Sequence, residues 1–295
     1  MSFGYRLLGF GGFPSRGGAP FNQNLIGKSF IGNGSNTYFT RTPSSAGNRT
    51  RWTLAWWFQL NAIATDMTFF SANDGSNDFF IRMDGTSNQQ MSIMDDNASM
   101  NARTVAFQRD IGWYHCIISY DSTVPNDASD RVQIYLNGER QELSFQSAAQ
   151  PSENGQTYWN NSQANEIGRR SRTTNSYVNG YMAQVVFLNA DSIQNGDVKV
   201  ENFLDTQTFG TNGSQFIPKA TADVAALATT AGGNSFCLDF DPADPTASNA
   251  LGLDLTTHDN DFTTTNMDEN NQSTHTPSWF ARCSVNKIMF QMMGL

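Results

Sequence analysis

The chain has 295 residues, a formal net charge of −9, only 15% charged residues and 12% aromatic ones. So many aromatics with so few charges exclude a disordered chain, and an acidic surface with no basic stripe excludes direct nucleic-acid binding. No apolar run approaches the roughly 20 residues that span a bilayer, and scarce Lys with no Ala/Leu/Glu-rich runs excludes long helices.

In chain order, residues 1–28 stand apart. Phe3, Tyr5, Phe10, Phe13 and Phe21 are spaced by glycines, with Pro14 and Pro20, and follow no strand or helix period. An arm this aromatic suits docking on a neighbouring subunit. It lacks the charged region and continuous apolar stretch of an export signal, so the expectation is a chain made in the cytoplasm and not exported. Strand signals follow. Arg51 to Leu60 alternates strictly, with Trp52, Leu54, Trp56, Phe58 and Leu60 on one face and Thr53, Ala55, Trp57 and Gln59 on the other. Met67 to Phe70 and Phe79 to Met83 are shorter strands separated by the turn-rich run Asn73 to Asp78. Trp113 to Tyr120 reads as a buried strand. Arg131 to Leu136 alternates and meets Asn137-Gly138, a hairpin signal because both residues tolerate positive φ. Tyr177 to Leu188 is a long strand whose Gly180 marks a bulge or a close backbone approach. Thr221 to Thr230 reads equally as a short helix or a loop. Ser235 to Phe240 is a last strand with Phe236, Leu238 and Phe240 on one side. The final stretch, 281–295, is Met-rich and apolar around Phe290 and Met292, and such a segment implies a partner. Strands at this spacing, with polar turns and no intervening helices, make an all-β, two-sheet antiparallel sandwich spanning 29–280.

Catalytic patterns are missing. Period-two carboxylates would project into one cleft for glycoside hydrolysis. None of Glu139, Glu142, Glu153, Glu166, Glu201 and Glu269 has an Asp two residues on. His115 lies mid-strand beside Trp113 and Cys116, and His258 and His275 sit in polar loops with no nucleophile motif. Cys116, Cys237 and Cys283 form no metal-ligand spacing. The expectation is a non-enzyme that requires no cofactor. Calcium is the one ion the sequence accommodates, at Asp74 and Asp78 or at Asp239 and Asp241. The same acids suit Asx-turns that satisfy their own backbone. Sugar binding asks for exposed aromatics beside polar groups. Trp57, Tyr158, Trp159, Arg169 and Arg170 are the candidates, and packing under a loop or against a subunit is the alternative.

The order of motifs carries a likeness. Trp52-Thr-Leu-Ala-Trp-Trp-Phe58 comes first, then Gly112-Trp-Tyr-His115 and Ile134-Tyr-Leu-Asn-Gly-Glu139. Glu166-Ile-Gly-Arg169 and Tyr177-Val-Asn-Gly-Tyr-Met-Ala183 follow. From Lys28 to Trp279 this resembles the concanavalin A-like, laminin-G-like jelly-roll domains. It is most similar to those of bacteriophage structural proteins, where Phe216-Ile-Pro-Lys219, Phe236-Cys-Leu-Asp-Phe240 and the Asn/Asp-rich stretch from Leu251 have counterparts. One departure is Gln184, where the family usually has an acidic residue. The resemblance implies a concanavalin A-like jelly roll, a structural role in the virion as capsid decoration or tail fibre/spike, and a homo-oligomer, trimeric for preference. Its partners would be other virion proteins and, as the alternative task, host-surface glycans; glycoside hydrolases share the fold class but need the missing carboxylate pair.

Overall fold

The computed structural model describes residues 25–61, 65–85, 89–105, 112–125, 127–208 and 214–277. The docking residues expected from sequence (Phe3, Tyr5, Phe10, Phe13, Phe21, Phe290 and Met292) and Cys283 lie outside the described residues. In chain order the strands are β1 Ser29–Asn33, β2 Tyr38–Arg41, β3 Arg51–Leu60, β4 Met67–Asn73, β5 Asp78–Met83 and β6 Met91–Asp95. Then come β7 Met100–Thr104, β8 Tyr114–Asp121, β9 Val132–Leu136, β10 Glu139–Arg140, β11 Leu143–Phe145 and β12 Asn165–Ile167. The rest are β13 Asn179–Asn189, β14 Leu204–Thr208, β15 Ser214–Pro218, β16 Gly232–Leu238, β17 Thr263–Thr265 and β18 Gln272–Ser273.

Antiparallel pairing collects them into two large sheets. The first runs β10-β9-β8-β3-β13-β1-β18, with β16 also on β13, and the second runs β11-β7-β6-β5-β4-β12-β2-β17. This is the two-sheet antiparallel sandwich that the alternation predicts, consistent with the jelly roll that the resemblance implies. Its core takes Trp52, Leu54, Trp56 and Phe58 from β3 against Phe69, Phe70, Phe79 and Ile81 of the other sheet. Trp56 meets Phe70 edge-on at 4.8 Å and Trp52 stacks on Tyr120 at 5.5 Å, geometries that add about 0.5–1.5 kcal/mol per pair beyond burial. Asn137 and Gly138 have φ of +50° and +80°, the twisted turn their sequence signals between β9 and β10. Phe236, Leu238 and Phe240 enter the core as the alternation demands.

The other face of β3 does not meet solvent, which corrects the expectation for Trp57. The chain between β13 and β16 folds back over the first sheet as an outer layer. It carries the β14–β15 hairpin and an α-helix, α1, at Thr221–Thr230. The stretch left open between helix and loop is therefore helical. Its Val224, Ala225 and Ala228 pack with Phe203 on Ala55, Ile117, Val186 and Cys237. Trp57 and Ala183 are covered with Leu204, Trp113 and Ile26, so Ile26, assigned from sequence to the arm, already belongs to the packed body. Gln184 holds this layer down. Its amide donates to the carbonyl of Lys219 (2.9 Å) and to Thr221 Oγ1 (3.2 Å). The family's acidic residue has no hydrogen to give there, so the Gln fits this chain's own outer layer.

Gly180 is the close approach and not the bulge. It pairs with both Leu60 and Gly32, and a Cβ there would stand 2.2 Å from the Gln59 carbonyl oxygen at φ +149°. The register shift falls between Ala183 and Val186, where Gln184 has φ +44°. Gly180→Ala should therefore cost about 3 kcal/mol or more in urea unfolding, because backbone must move. Gly75→Ala, at φ +91° with open space around it, should cost about 1 kcal/mol. Equal losses would contradict the β1–β13–β3 register.

His115 is buried under the outer layer, its ring 4.9 Å from that of Trp57 and its Nδ1 without a hydrogen-bond partner. Burial lowers its pKa to about 3. Since the folded value lies below that of the unfolded chain, the unfolded state takes up the proton first. The stability is whole above pH ~6.5 and declines as pH falls toward 3, by about 2 kcal/mol at pH 5. His115→Phe should remove this component, so the stability lost between pH 7.5 and pH 5 should shrink by that amount, read from urea midpoints. An unchanged pH dependence would show that His115 titrates normally.

Candidate functional site

With the first sheet covered on both sides, the second sheet keeps one outward face. Register sets its rows: Thr40, Glu166, Ser71, Phe80, Met94 and Asn101 lie side by side across β2, β12, β4, β5, β6 and β7. A neighbouring row holds Thr68, Arg82, Ser92 and Arg103. Strand alternation puts these outward because Phe39, Ile167, Phe70, Ile81 and Ile93 fill the core. The β12–β13 connection folds onto this face over β4. Ser71 Oγ donates to the Arg169 carbonyl (2.8 Å) and accepts from the Ser171 N–H (2.9 Å), while Asn73 Nδ2 donates to Ser171 Oγ (2.7 Å).

Arginines organise the face. Arg169 donates through Nε and Nη2 to the two oxygens of Glu166 (2.6 and 2.7 Å), and its guanidinium lies 3.5 Å above the Tyr38 ring. Tyr177, half-buried like Tyr38, stands 6.5 Å from it. Arg170 donates to Asp78 Oδ2 (2.9 Å from Nε) and lies 4.5 Å over the Phe80 ring, which also carries Arg82 at 4.9 Å. Arg82 binds Asp84 (2.6 Å) and Asp66 (2.9 Å), Arg103 faces Asp84 at 3.4 Å, and Arg172 faces Asp96 at 3.6 Å. Such clamps hold planar polar groups in place before any ligand arrives. Burial raises the Asp78 pKa, opposed by the hydrogen bond and charge of Arg170. Four atoms of this face are buried with no hydrogen-bond partner: Thr68 Oγ1, Asp78 Oδ1, Asp84 Oδ2 and Arg103 Nε.

At one end of the face the Tyr158 hydroxyl donates to Asp74 Oδ2, and Arg49 lies 5.7 Å from the Tyr158 ring centroid. Behind them Asp95 is buried, and burial raises its pKa to about 7. A carboxyl in that range is what a general acid requires. Both of its oxygens, however, accept backbone N–H groups, from Ala98 (2.7 Å) and Tyr158 (2.6 Å). It staples two loops together and is itself buried.

The structure brings Asp74, Asp78, Tyr158, Arg169 and Arg170 onto this one sheet and its rim. It separates the other sugar-binding candidates. Trp57 is 0% exposed, and Trp159, 1% exposed, packs in the core against Phe70, Phe79 and Phe187. Tyr158 is 8% exposed with its hydroxyl engaged. None of the three offers a ring to a sugar. The half-exposed rings are Tyr38 and Tyr177, which sequence reasoning passed over together with Glu166, Arg82 and Arg103; the Glu166-Ile-Gly-Arg169 motif was the available signal. Of the two readings of the acidic turns, calcium or Asx-turn, the geometry at Asp74 has the features of the second. Asp74 accepts the N–H groups of Ser76 (2.9 Å) and Asn77 (2.8 Å), the Asx-turn alternative, and these bonds with that of Tyr158 lower its pKa. Asp78 is committed to Arg170, and Asp239 Oδ1 accepts from the Asp241 N–H (3.0 Å). Among the described residues no three acidic, His or Cys side chains converge as metal ligands.

No curated protein sequence matches the chain. Among solved structures it is similar to a Bacteroides ovatus protein assigned as carbohydrate binding, at 16% identity and a TM-score of 0.50, over 86% of this chain and 61% of that one. It therefore spans less than two thirds of that protein's length. The heptameric SAP-like pentraxin of Limulus polyphemus aligns at 13% identity and a TM-score of 0.41, over 56% of this chain and 77% of that one. The tailspike protein 2 domain of bacteriophage CBA120 aligns at 12% identity and a TM-score of 0.36, over 52% and 24%. The family model of the concanavalin A-like lectin/glucanases superfamily matches residues 33–194, more than half of the sequence, and the chain belongs to that superfamily.

Proposed function

We propose that the chain is a non-catalytic sugar-recognising module, carried as a structural component at the surface of a bacteriophage particle. The observation that carries the sugar reading is the outward face of the second sheet. There Tyr38 and Tyr177 flank an Arg169 already fixed by Glu166, beside the Arg170–Asp78 and Arg82–Asp84 pairs. Half-buried rings offer an apolar edge to the C–H face of a pyranose, and the clamped guanidinium groups meet its hydroxyls with little ordering cost. Charges balance: each of the five arginines has an acidic partner, so the face favours hydroxyl-rich ligands over strongly anionic ones. The same pairing argues against hydrolysis. Glu166, Asp78 and Asp84 are held by arginines, which leaves none placed as a free acid–base pair.

The particle assignment draws on the phage-type order of motifs and on the aromatic 1–28 and Met-rich 281–295 segments. On this reading those segments contact other virion proteins or sister subunits, and the sandwich is displayed as decoration or as part of a tail fibre or spike.

On a glycan array the intact chain should bind host-surface saccharides. Tyr38→Ala and Arg169→Ala should each weaken binding about tenfold, some 1.4 kcal/mol, with unfolding midpoints little changed for Tyr38→Ala. Release of soluble oligosaccharide, or binding indifferent to both substitutions, would sink the proposal. For the assembly, sedimentation should show a trimer that falls to monomers when residues 1–24 are removed, with the β-sheet spectrum retained; an unaltered oligomer would remove the arm from that role.

A further inference from the structure

We propose that the chain has a second sugar site, for a single uncharged pyranose unit, in a cleft formed by residues 245–251 and 264–269. The cleft holds about 390 Å³, within the range of small-molecule sites. It lies wholly outside the residues matched by the family model.

Its walls are tied together before any ligand binds. The Asn249 side chain accepts from the Thr264 N–H (2.9 Å), and the Phe262 N–H donates to the Gly252 carbonyl (2.8 Å). Gly252 is needed for that approach, since a Cβ there would stand 2.0 Å from the Phe262 carbonyl oxygen. Asn249 and Asn266, one on each wall, have φ of +61° and +53°, a conformation that Asn tolerates better than most residues.

The lining chemistry selects the ligand. No aromatic ring and no Lys or Arg lines the cleft. The Asp268 carboxylate is committed to its own turn, accepting from the Asn270 N–H (2.9 Å). Of the lining residues Ser248, Asn266 and Glu269 are exposed and Asn249 is half-buried, so that a hydroxyl, an amide oxygen, a carboxylate and an amide NH₂ stand open to a ligand at the cleft. That set holds a donor, two acceptors and a hydroxyl that does both, which matches sugar hydroxyls able to give and receive. The half-buried Met267, packed against the core that Leu251 enters, supplies an apolar patch for the ring C–H groups. Acidic groups without a compensating cation disfavour phosphates and uronic acids.

The test is saturation-transfer NMR on the full chain with glucose, galactose, mannose, N-acetylglucosamine and glucuronate. It is run on the Tyr38→Ala/Arg169→Ala double variant, whose sheet face should bind about a hundredfold more weakly, so that the fate of that face is read separately. At least one uncharged sugar should bind that variant. Adding Ser248→Trp, at an exposed position whose bulk fills the cleft, should weaken binding about tenfold or more, and Glu269→Gln should weaken it less. A thermal melt of each variant checks that it folds. The proposal is overturned if no uncharged sugar binds the double variant, if binding to it survives Ser248→Trp, or if glucuronate binds as well as glucose.

Discussion

β3 is buried on both of its faces, and the placement of every other surface follows from that. One face of the strand contributes Trp52, Leu54, Trp56 and Phe58 to the core between the sheets. The other presents Ala55 and Trp57, and an uncovered Trp57 would leave a large apolar ring in water at a cost of about 2–3 kcal/mol. The chain answers with the outer layer between β13 and β16, anchored by the Gln184 amide and by Val224 and Ala228 of α1. Covering the first sheet removes it as a binding surface. The second sheet, with only a short connection laid across it, is left as the broad polar face.

That face is stabilised differently from the core. Phe80 is enclosed between Arg82 and Arg170, and Tyr38 lies under Arg169. A guanidinium over a ring covers apolar area while keeping its charge near water. Each guanidinium is then fixed by a carboxylate, at Glu166, Asp78 or Asp84. Largely buried ion pairs of this kind add little net stability, because the cost of taking both groups out of water offsets their attraction. What they provide is direction. A long, mobile arginine becomes a rigid donor plate, and Tyr38 and Tyr177 become its frame. The orphaned Thr68, Asp78 and Arg103 atoms mark the same face as a place where packing alone did not settle every polar group.

The elements of the sandwich were legible because alternation is a local signal: β3 lies where period two puts it, and β8, β9, β13 and β16 overlap the expected spans with shifted ends, most at β16, which runs Gly232–Leu238. The sidedness of each strand was legible too, but not what covers it. Nothing within Arg51 to Leu60 says that residues some 150 positions later return over Trp57, and nothing local to Trp159 says that it faces Phe187. The same limit hid Tyr38 and Tyr177. They lie far apart in sequence and meet only because β12 pairs with β2 and Arg169 follows β12 directly. Short-range pairs were more accessible, as Glu166 with Arg169 shows. Asp74 was ambiguous for a further reason: the oxygen pattern that suits a cation also suits an Asx-turn, and only the N–H groups of Ser76 and Asn77 decide between them.

The C-terminal part of the sandwich extends this logic past the family's shared core. β17 adds itself to the edge of the second sheet by pairing Thr264 with Phe39 and Thr265 with Tyr38. An edge strand exposes unpaired N–H and C=O groups and invites another chain to pair. Here the Thr264 N–H is taken by the Asn249 side chain, so the segment that blunts the edge also builds the second wall of the cleft. A substitution at Thr246, Ser248 or Asn249 would change the cleft without touching the core, since none of the three enters it. Tyr38, by contrast, sits on the strand that β17 pairs with and under Arg169 at once. The β2–β17 pair therefore contributes to both: Tyr38 to the broad face, and Thr264 to the cleft.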